Sequence, residues 1–176
     1  MILPADAELL RATSHELRVR GAGAQTLVSL AGERPGQLLA RLADTTADTL
    51  PHRIYLALEN IRGTCDATVL SIFLNLPEGA LPGEHRELLA GSASLYGLRR
   101  ASMQRGENAG GGLSSVTDLT RVICVLLAAQ YLDPSKIRIS IVPQHPLPEG
   151  VEITIGRIAL FTLPPKSKNL AISSEG

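Results

Sequence analysis

The sequence is poor in aromatic residues and in histidine, and it has no tryptophan. Aromatic residues make up 3% of its 176 residues, and there are four histidines. Apolar residues at 44% and charged residues at 19% are nevertheless typical of a globular chain, whose core must come from leucine, isoleucine, valine and alanine. A domain of this length buries about 70% of the surface that its unfolded form exposes, so it needs no disulfide or metal for stability.

The chain also lacks an excess of charge of either sign, because lysine plus arginine equals aspartate plus glutamate at 17 each. Without a net positive field, the sequence predicts no nucleic-acid partner and no attraction to an anionic membrane. It has no apolar run of about 18 residues, and residues 1–6 lack the pattern of a signal peptide. We therefore expect a cytoplasmic protein with no membrane partner.

The two cysteines, Cys65 and Cys124, form no CxxC pair and lie far apart in the sequence. Cys124 lies within the apolar run 122–129, where a buried thiol is ordinary. The sequence favours two buried free thiols and leaves a single disulfide as the alternative.

The four histidines are too dispersed to form a metal site: they are His15, His52, His85 and His145. A dinuclear copper centre needs histidines brought together in groups, so we predict no metal site in this chain and interpret these residues as surface histidines. No G-x-S-x-G elbow or nucleophile-and-base pair is present either. The sequence thus predicts no catalytic residue, and an enzyme acting by itself ranks last among the functions considered.

Alternation of apolar and polar residues predicts strands at residues 16–20, 26–30, 53–61, 69–76, 136–142 and 151–161, with a softer strand at 88–98. A turn at residues 63–66 suggests that the third and fourth of these strands pair with each other. Many short strands with turn signals predict a mainly β fold, an antiparallel β-sandwich of jelly-roll-like type with one short α-helix.

That helix is predicted to begin near Thr117 and to end near Tyr131, capped by Ser115 or Thr117. Its buried face is predicted to contain Leu119, Val122, Ile123, Leu126 and Leu127. Asp118 and Arg121, three residues apart, are predicted to form a weak surface ion pair.

The predicted organisation has three parts. Residues 1–16 form an N-terminal lead or short helix, residues 17–163 form the sandwich, and residues 164–176 form a disordered tail. Within the sandwich, residues 35–48 are interpreted as a linker and residues 99–112, which end in three glycines, as a mobile loop.

Six segments occur in an order that resembles a known domain: residues 54–61 (IYLALENI), 74–77 (LNLP), 89–98 (LAGSASLYGL), 117–120 (TDLT), 139–143 (ISIVP) and 153–158 (ITIGRI). Together they resemble the C-terminal domain of bacterial tyrosinase-family proteins and, more distantly, of plant polyphenol oxidases. The resemblance covers about residues 27–161. The copper-binding half of such proteins has no counterpart in this sequence.

The resemblance implies a β-sandwich that packs over the mouth of a copper-binding helical bundle, with one side chain projecting into the substrate entrance as a placeholder. It implies no cofactor in this chain, and copper in a partner. The placeholder candidates carried over onto this sequence are Leu95, Tyr96 and Leu98. A small basic cluster beside them, formed by Arg99, Arg100 and Arg105, is a candidate partner-contact loop, although a solvated loop is the simpler interpretation.

Two further hypotheses follow from these observations. In the first, the chain is a non-catalytic accessory or regulatory subunit that packs on a tyrosinase-like copper oxidase and shields or tunes its active-site entrance. The alternative is a stand-alone protein-binding module, or one that self-associates into a homo-oligomer through its sheet edges, with no connection to copper.

Overall fold

The structure is a computed structural model, and it describes residues 3–13, 15–29, 37, 40, 42, 52–66, 68–103 and 111–163. Nine strands lie in these ranges: β1 (Glu8–Ala12), β2 (Leu17–Val19), β3 (Ala24–Val28), β4 (Arg53–Gly63), β5 (Val69–Leu74), β6 (Leu89–Ser94), β7 (Leu113–Asp118), β8 (Ile137–Pro143) and β9 (Ile153–Leu163). Two helices, α1 (Leu98–Ser102) and α2 (Thr120–Ala128), and two 3₁₀ turns, Pro82–Glu84 and Arg86–Leu88, complete the described elements.

The strands form two antiparallel sheets. In the first sheet, β9 lies between β4 and the edge strands β1 and β2, and β7 lies on the far side of β4. The second sheet has the order β3-β8-β5-β6. Strands β2 to β9 therefore have the order 2-9-4-7 in one sheet and 3-8-5-6 in the other, which is the double-sheet jelly roll. The predicted mainly β, jelly-roll-like sandwich is confirmed.

The core lies between the two sheets and is built almost wholly from aliphatic side chains. Ile54, Leu56 and Leu58 of β4 are fully buried at alternate positions, as the pleat of a strand requires. The second sheet contributes Leu70 and Ile72 from β5, which are equally inaccessible to solvent. Aliphatic residues thus fill the interior without tryptophan, as the composition predicted.

The N-terminal segment differs from the short helix suggested by its leucine spacing. Residues Glu8–Ala12 form β1, which pairs with β9 through a register that includes Glu8 opposite Thr162 and Ala12 opposite Ala159. Of the two alternatives, a lead or a short helix, the helix is wrong here: β9 offers an open edge, and pairing with that edge satisfies backbone groups that a short helix would leave unbonded.

The predicted pairing of β4 with β5 is also wrong. β4 pairs with β7 and β9, whereas β5 pairs with β6 and β8 in the opposite sheet. The turn between β4 and β5 crosses from one sheet to the other, as consecutive strands of a jelly roll commonly do.

Helix α2 begins later than predicted, because residues Leu113–Asp118 form strand β7. Neither Ser115 nor Thr117 caps the helix. The Asp118 carboxylate instead accepts a hydrogen bond of 2.9 Å from the Thr120 N–H. Its other oxygen lies 2.8 Å from Arg53 Nη1, so the ion pair predicted between Asp118 and Arg121 is replaced by one that ties the helix start to β4. The predicted apolar face of the helix is confirmed, since all five of its residues are buried.

The sandwich has two ends, which are used below to locate its surfaces. One end holds the β2–β3, β4–β5, β6–β7 and β8–β9 connections, and the other holds the start of β1 and the turn that precedes β8. Ile153 and Phe161 mark these ends on β9, and they are separated by roughly 26 Å at the rise of an extended strand. Among the described residues, no helix is long and apolar enough to cross a lipid bilayer.

Candidate functional site

The candidate placeholder residues lie in a tight structure that we call the knuckle, residues 95–100, between β6 and β7. Its tip is Tyr96, whose side chain is 86% exposed, the largest exposure among the large apolar and aromatic residues of the described chain. A tyrosine presented in this way keeps its aromatic ring in water. Covering that ring with a partner protein would stabilise the complex.

Main-chain hydrogen bonds fix the knuckle to the β4–β5 connection. Leu95 N–H donates to the Thr68 carbonyl over 2.8 Å. Gly97 and Leu98 both donate to the Asp66 carbonyl, at 3.0 and 3.2 Å. Gly97 has φ +75°, a conformation that glycine adopts without strain, and it lets the chain reverse directly after Tyr96. The tyrosine is therefore carried by a backbone that is bonded on both sides of it.

Leu95 and Leu98 cannot act as placeholders, and this part of the prediction is corrected. Their exposures are 1% and 0%, so both side chains lie in the core. The physical reason is the alternation of the strand: Leu95 points inward, Tyr96 points outward, and the reversal at Gly97 returns Leu98 to the interior. These two leucines attach the knuckle to the hydrophobic core.

Two of the three arginines of the predicted contact loop lie on the knuckle, and both are exposed. Arg99 Nε donates to the Thr64 carbonyl over 2.8 Å and lies 3.2 Å from the Asp66 carboxylate, so this guanidinium is held beside the β4–β5 connection. Arg105 lies outside the described residues. The segment that contains Arg99 and Arg100 is helix α1 rather than the predicted loop, because Ala101 N–H bonds the Gly97 carbonyl.

Met103, which the sequence reasoning did not single out, is a further exposed apolar side chain, and it lines the same shallow surface as Arg99. Its side chain is 54% exposed directly after α1. Ser102 secures this position, because its hydroxyl donates to the Leu98 carbonyl over 2.7 Å and accepts from Gly63 N–H over 2.9 Å. Methionine and arginine are both enriched in protein interfaces. The exposure of Met103 was not predictable, because residues 101–103 follow no strand whose alternation would assign Met103 to the surface.

The histidines are not all on the surface. His15 and His145 are exposed and His85 is half-buried, whereas His52 is 3% exposed and its Nε2 forms a hydrogen bond with the Thr162 hydroxyl. The prediction of surface histidines is therefore wrong for His52, which joins the start of β4 to the end of β9. Within the described ranges, no three His, Cys, Asp or Glu side chains form a group that could hold a metal ion.

Both cysteines are free thiols, as the sequence favoured, but they are half-buried rather than buried. Burial raises the pKa of the Cys65 thiol, and the neighbouring Asp66 carboxylate adds to this effect while Arg99 opposes it. Burial likewise raises the pKa of Cys124, with a smaller contribution from Asp118.

These raised pKa values predict slow alkylation of the folded protein. Because the thiolate is the nucleophile, a higher pKa means a smaller reactive fraction at any pH below it. We expect iodoacetamide at pH 8 to label both cysteines severalfold more slowly in the folded chain than in urea, with the folded rate still rising as the pH increases. Mass spectrometry of timed samples measures both rates, and equal rates in the two states would contradict this expectation.

A protein-family model described as Domain of unknown function (DUF7868) matches residues 6–163, which include both sheets and the knuckle. The chain belongs to this family. The DUF7868 match begins before β1, so that strand falls inside the matched region.

Proteins that have been named match the DUF7868 chain over part of their own length. Tyrosinase HcTyr1 of Hahella sp. (strain CCB-MM4) is 29% identical over 110 residues, which cover 62% of this chain and 23% of that tyrosinase. Recombinantly expressed latent aurone synthase, a polyphenol oxidase, has a TM-score of 0.44 at 14% identity, covering 90% of this chain and 25% of its own. Latent apple tyrosinase has a TM-score of 0.44 at 14% identity, with coverages of 85% and 27%.

The resemblance to tyrosinase-family proteins predicted from the ordered segments is thus confirmed. The chain spans about a quarter of the length of the relatives that it matches.

Proposed function

We propose that this jelly roll is a non-catalytic accessory unit that packs on a tyrosinase-like, type-3 copper oxidase and shields its active-site entrance with the knuckle. The copper belongs to the partner in this proposal. The observation that carries it is Tyr96, an almost fully exposed aromatic side chain on a backbone held by hydrogen bonds, in a chain related in sequence to a tyrosinase.

The geometry of the knuckle favours insertion into a concave site. Leu95 and Leu98 are buried on either side of the tip, so Tyr96 is the exposed aromatic ring of the knuckle. A side chain on a fixed backbone loses less conformational entropy on binding than one on a disordered loop. The knuckle is thus suited to fill a narrow entrance.

The chemistry of the tip also fits such a partner. The name tyrosinase denotes an oxidase of tyrosine, and the Tyr96 phenol presents a substrate-like group to that kind of site. In the residues that follow Tyr96, Arg99, Arg100 and Met103 are exposed, and arginine and methionine are both enriched in protein interfaces.

The proposal is tested with the purified full chain and a tyrosinase-like copper oxidase from the same organism. We expect the two proteins to elute together in size-exclusion chromatography with light scattering. Phenol turnover by the oxidase should fall saturably as the chain is added, while its copper content stays constant. Separate elution with unchanged turnover at micromolar concentrations of both proteins would reject the proposal.

A further inference from the structure

A cavity lies at the end of the sandwich opposite the knuckle. It is an open groove of about 720 Å³ between two edge strands, β1 of the first sheet and β3 of the second. The turn at Ser135 and Lys136 closes one end of it. We propose that this groove binds an extended, acidic peptide segment of a partner protein, which adds to β3 as a further strand of the second sheet.

The first argument is the free edge of β3. Within the described part of the chain, β3 pairs with β8 alone, in a regular register from Ala24 opposite Ile141 to Val28 opposite Ile137. The last two residues of β3, Leu27 and Val28, line the groove together with Ser29, so this part of the β3 edge borders it. An extended peptide satisfies the backbone groups of such an edge by strand addition.

The second argument is that β3 lacks the features that normally prevent strand addition. Edge strands are usually protected by charged residues, prolines or bulges. The β1 edge has a charged residue at each of Glu8 and Arg11 and a register shift between Leu9 and Arg11. β3 has the sequence AQTLV, with no charge, no proline and no register shift, and its Leu27 is 61% exposed. Of the two strands that border the groove, β3 is therefore the one that accepts a partner strand.

The third argument is the chemistry of the lining. Leu9, Leu27 and Val28 provide the apolar part of the lining, which we call the floor, and Arg11, His15 and Lys136 provide its basic part. None of the described lining residues is acidic.

Asp133 is a carboxylate close in sequence to the lining residues Ser135 and Lys136. It accepts hydrogen bonds from the Ser135 N–H and hydroxyl, at 2.8 and 2.7 Å. These hydrogen bonds lower the pKa of the Asp133 carboxyl, so Asp133 stays charged and stays bonded within the turn that contains Ser135. A peptide that alternates apolar and acidic side chains places one set on the floor and the other against Arg11 and Lys136.

The test uses peptides of about eight residues in which valine alternates with glutamate, lysine or serine, each titrated against the full chain by fluorescence anisotropy. We expect the glutamate series to bind at least about tenfold more tightly than the other two. Hydrogen exchange should show slower exchange at residues 24–28 when that peptide is bound, because a partner strand protects the backbone of β3.

Two variants locate the binding. Leu27→Glu removes apolar floor and adds a repelling charge, so it should weaken binding of the glutamate peptide at least about tenfold. Leu81→Glu is the matched control, since Leu81 is exposed to a similar extent at 63% and lies outside the groove. The double variant Arg11→Glu/Lys136→Glu should transfer the preference to the lysine series. Circular dichroism and thermal melting confirm that each variant is folded.

Three outcomes would overturn the inference. They are binding by none of the peptides, equal binding of the serine and glutamate series, or a concentration-dependent dimer of the chain that Leu27→Glu disrupts, which would assign β3 to a second copy. Because the groove and the knuckle lie at opposite ends, Tyr96 variants leave the peptide result unchanged, and the two proposals fail separately.

Discussion

Replacing Gly23 with alanine is expected to lower the free energy of unfolding by about 3 kcal/mol or more. Gly23 has φ +136°, a backbone conformation that side chains of L-residues disfavour. An added Cβ would also lie 2.5 Å from the Ile141 carbonyl oxygen and 3.2 Å from Val142 Cα. Both atoms belong to the backbone of β8, so the contact cannot be relieved by a side-chain rotation.

The neighbouring Gly21 supplies a control within the same turn. Its φ is +49°, but an added Cβ would meet no atom within 4 Å. Gly21→Ala therefore has only the cost of the left-handed conformation, about 1 kcal/mol.

Thermal melting distinguishes the two variants. The melting temperature should fall by about 6 to 12 °C for Gly23→Ala and by about 2 to 4 °C for Gly21→Ala. Equal effects would show that crowding against β8 does not govern this turn.

The comparison of sequence and structure shows which parts of the fold local patterns can specify. The strands predicted at residues 53–61 and 136–142 correspond closely to β4 and β8, because alternation reports which face of a strand is buried. Alternation carries no information on the neighbouring strand. The predicted pairing of β4 with β5 therefore rests only on their proximity in sequence, and the structure places them in opposite sheets.

The elements that were missed depend on long-range contacts. β7 has the sequence LSSVTD, which is weak in apolar residues, and it becomes a strand by pairing with β4 from Tyr55 opposite Asp118 to Ile61 opposite Leu113. β1 likewise depends on β9. Propensity is a weak guide for such strands, because an exposed edge of an existing sheet determines their conformation.

The candidate site was predictable only in part. The resemblance located the correct segment, and alternation within residues 94–96 is sufficient to assign Leu95 to the interior and Tyr96 to the surface. The positive φ of Gly97, which returns Leu98 to the core, follows from the turn and not from alternation. The groove was not foreseen at all, because Arg11, Leu27 and Lys136 are distant in sequence and meet only when the two sheets pack.

Tyr96→Ala is expected to weaken the complex with a tyrosinase-like oxidase by about 2 kcal/mol, or roughly 30-fold in Kd. The truncation removes the ring that the proposal places in the partner's entrance. The fold should stay intact, because the side chain is 86% exposed and the hydrogen bonds that hold the knuckle are made by the backbone. Surface plasmon resonance gives the affinity, and phenol turnover shows whether inhibition is lost in parallel.

Tyr131→Ala is the matched control, since Tyr131 is also exposed, at 77%, and lies beyond α2 at the other end of the sandwich. Its hydrogen bonds with Leu126 and Asn75 are made by the Tyr131 backbone, so the substitution should leave both folding and affinity unchanged.

Tyr96→Phe separates two roles of the Tyr96 side chain. Full retention of affinity would assign the effect to the ring, whereas a loss close to that of alanine would assign it to the phenol hydroxyl. Equal effects of Tyr96→Ala and Tyr131→Ala would remove the knuckle from the interface, because only one of these tyrosines lies on it.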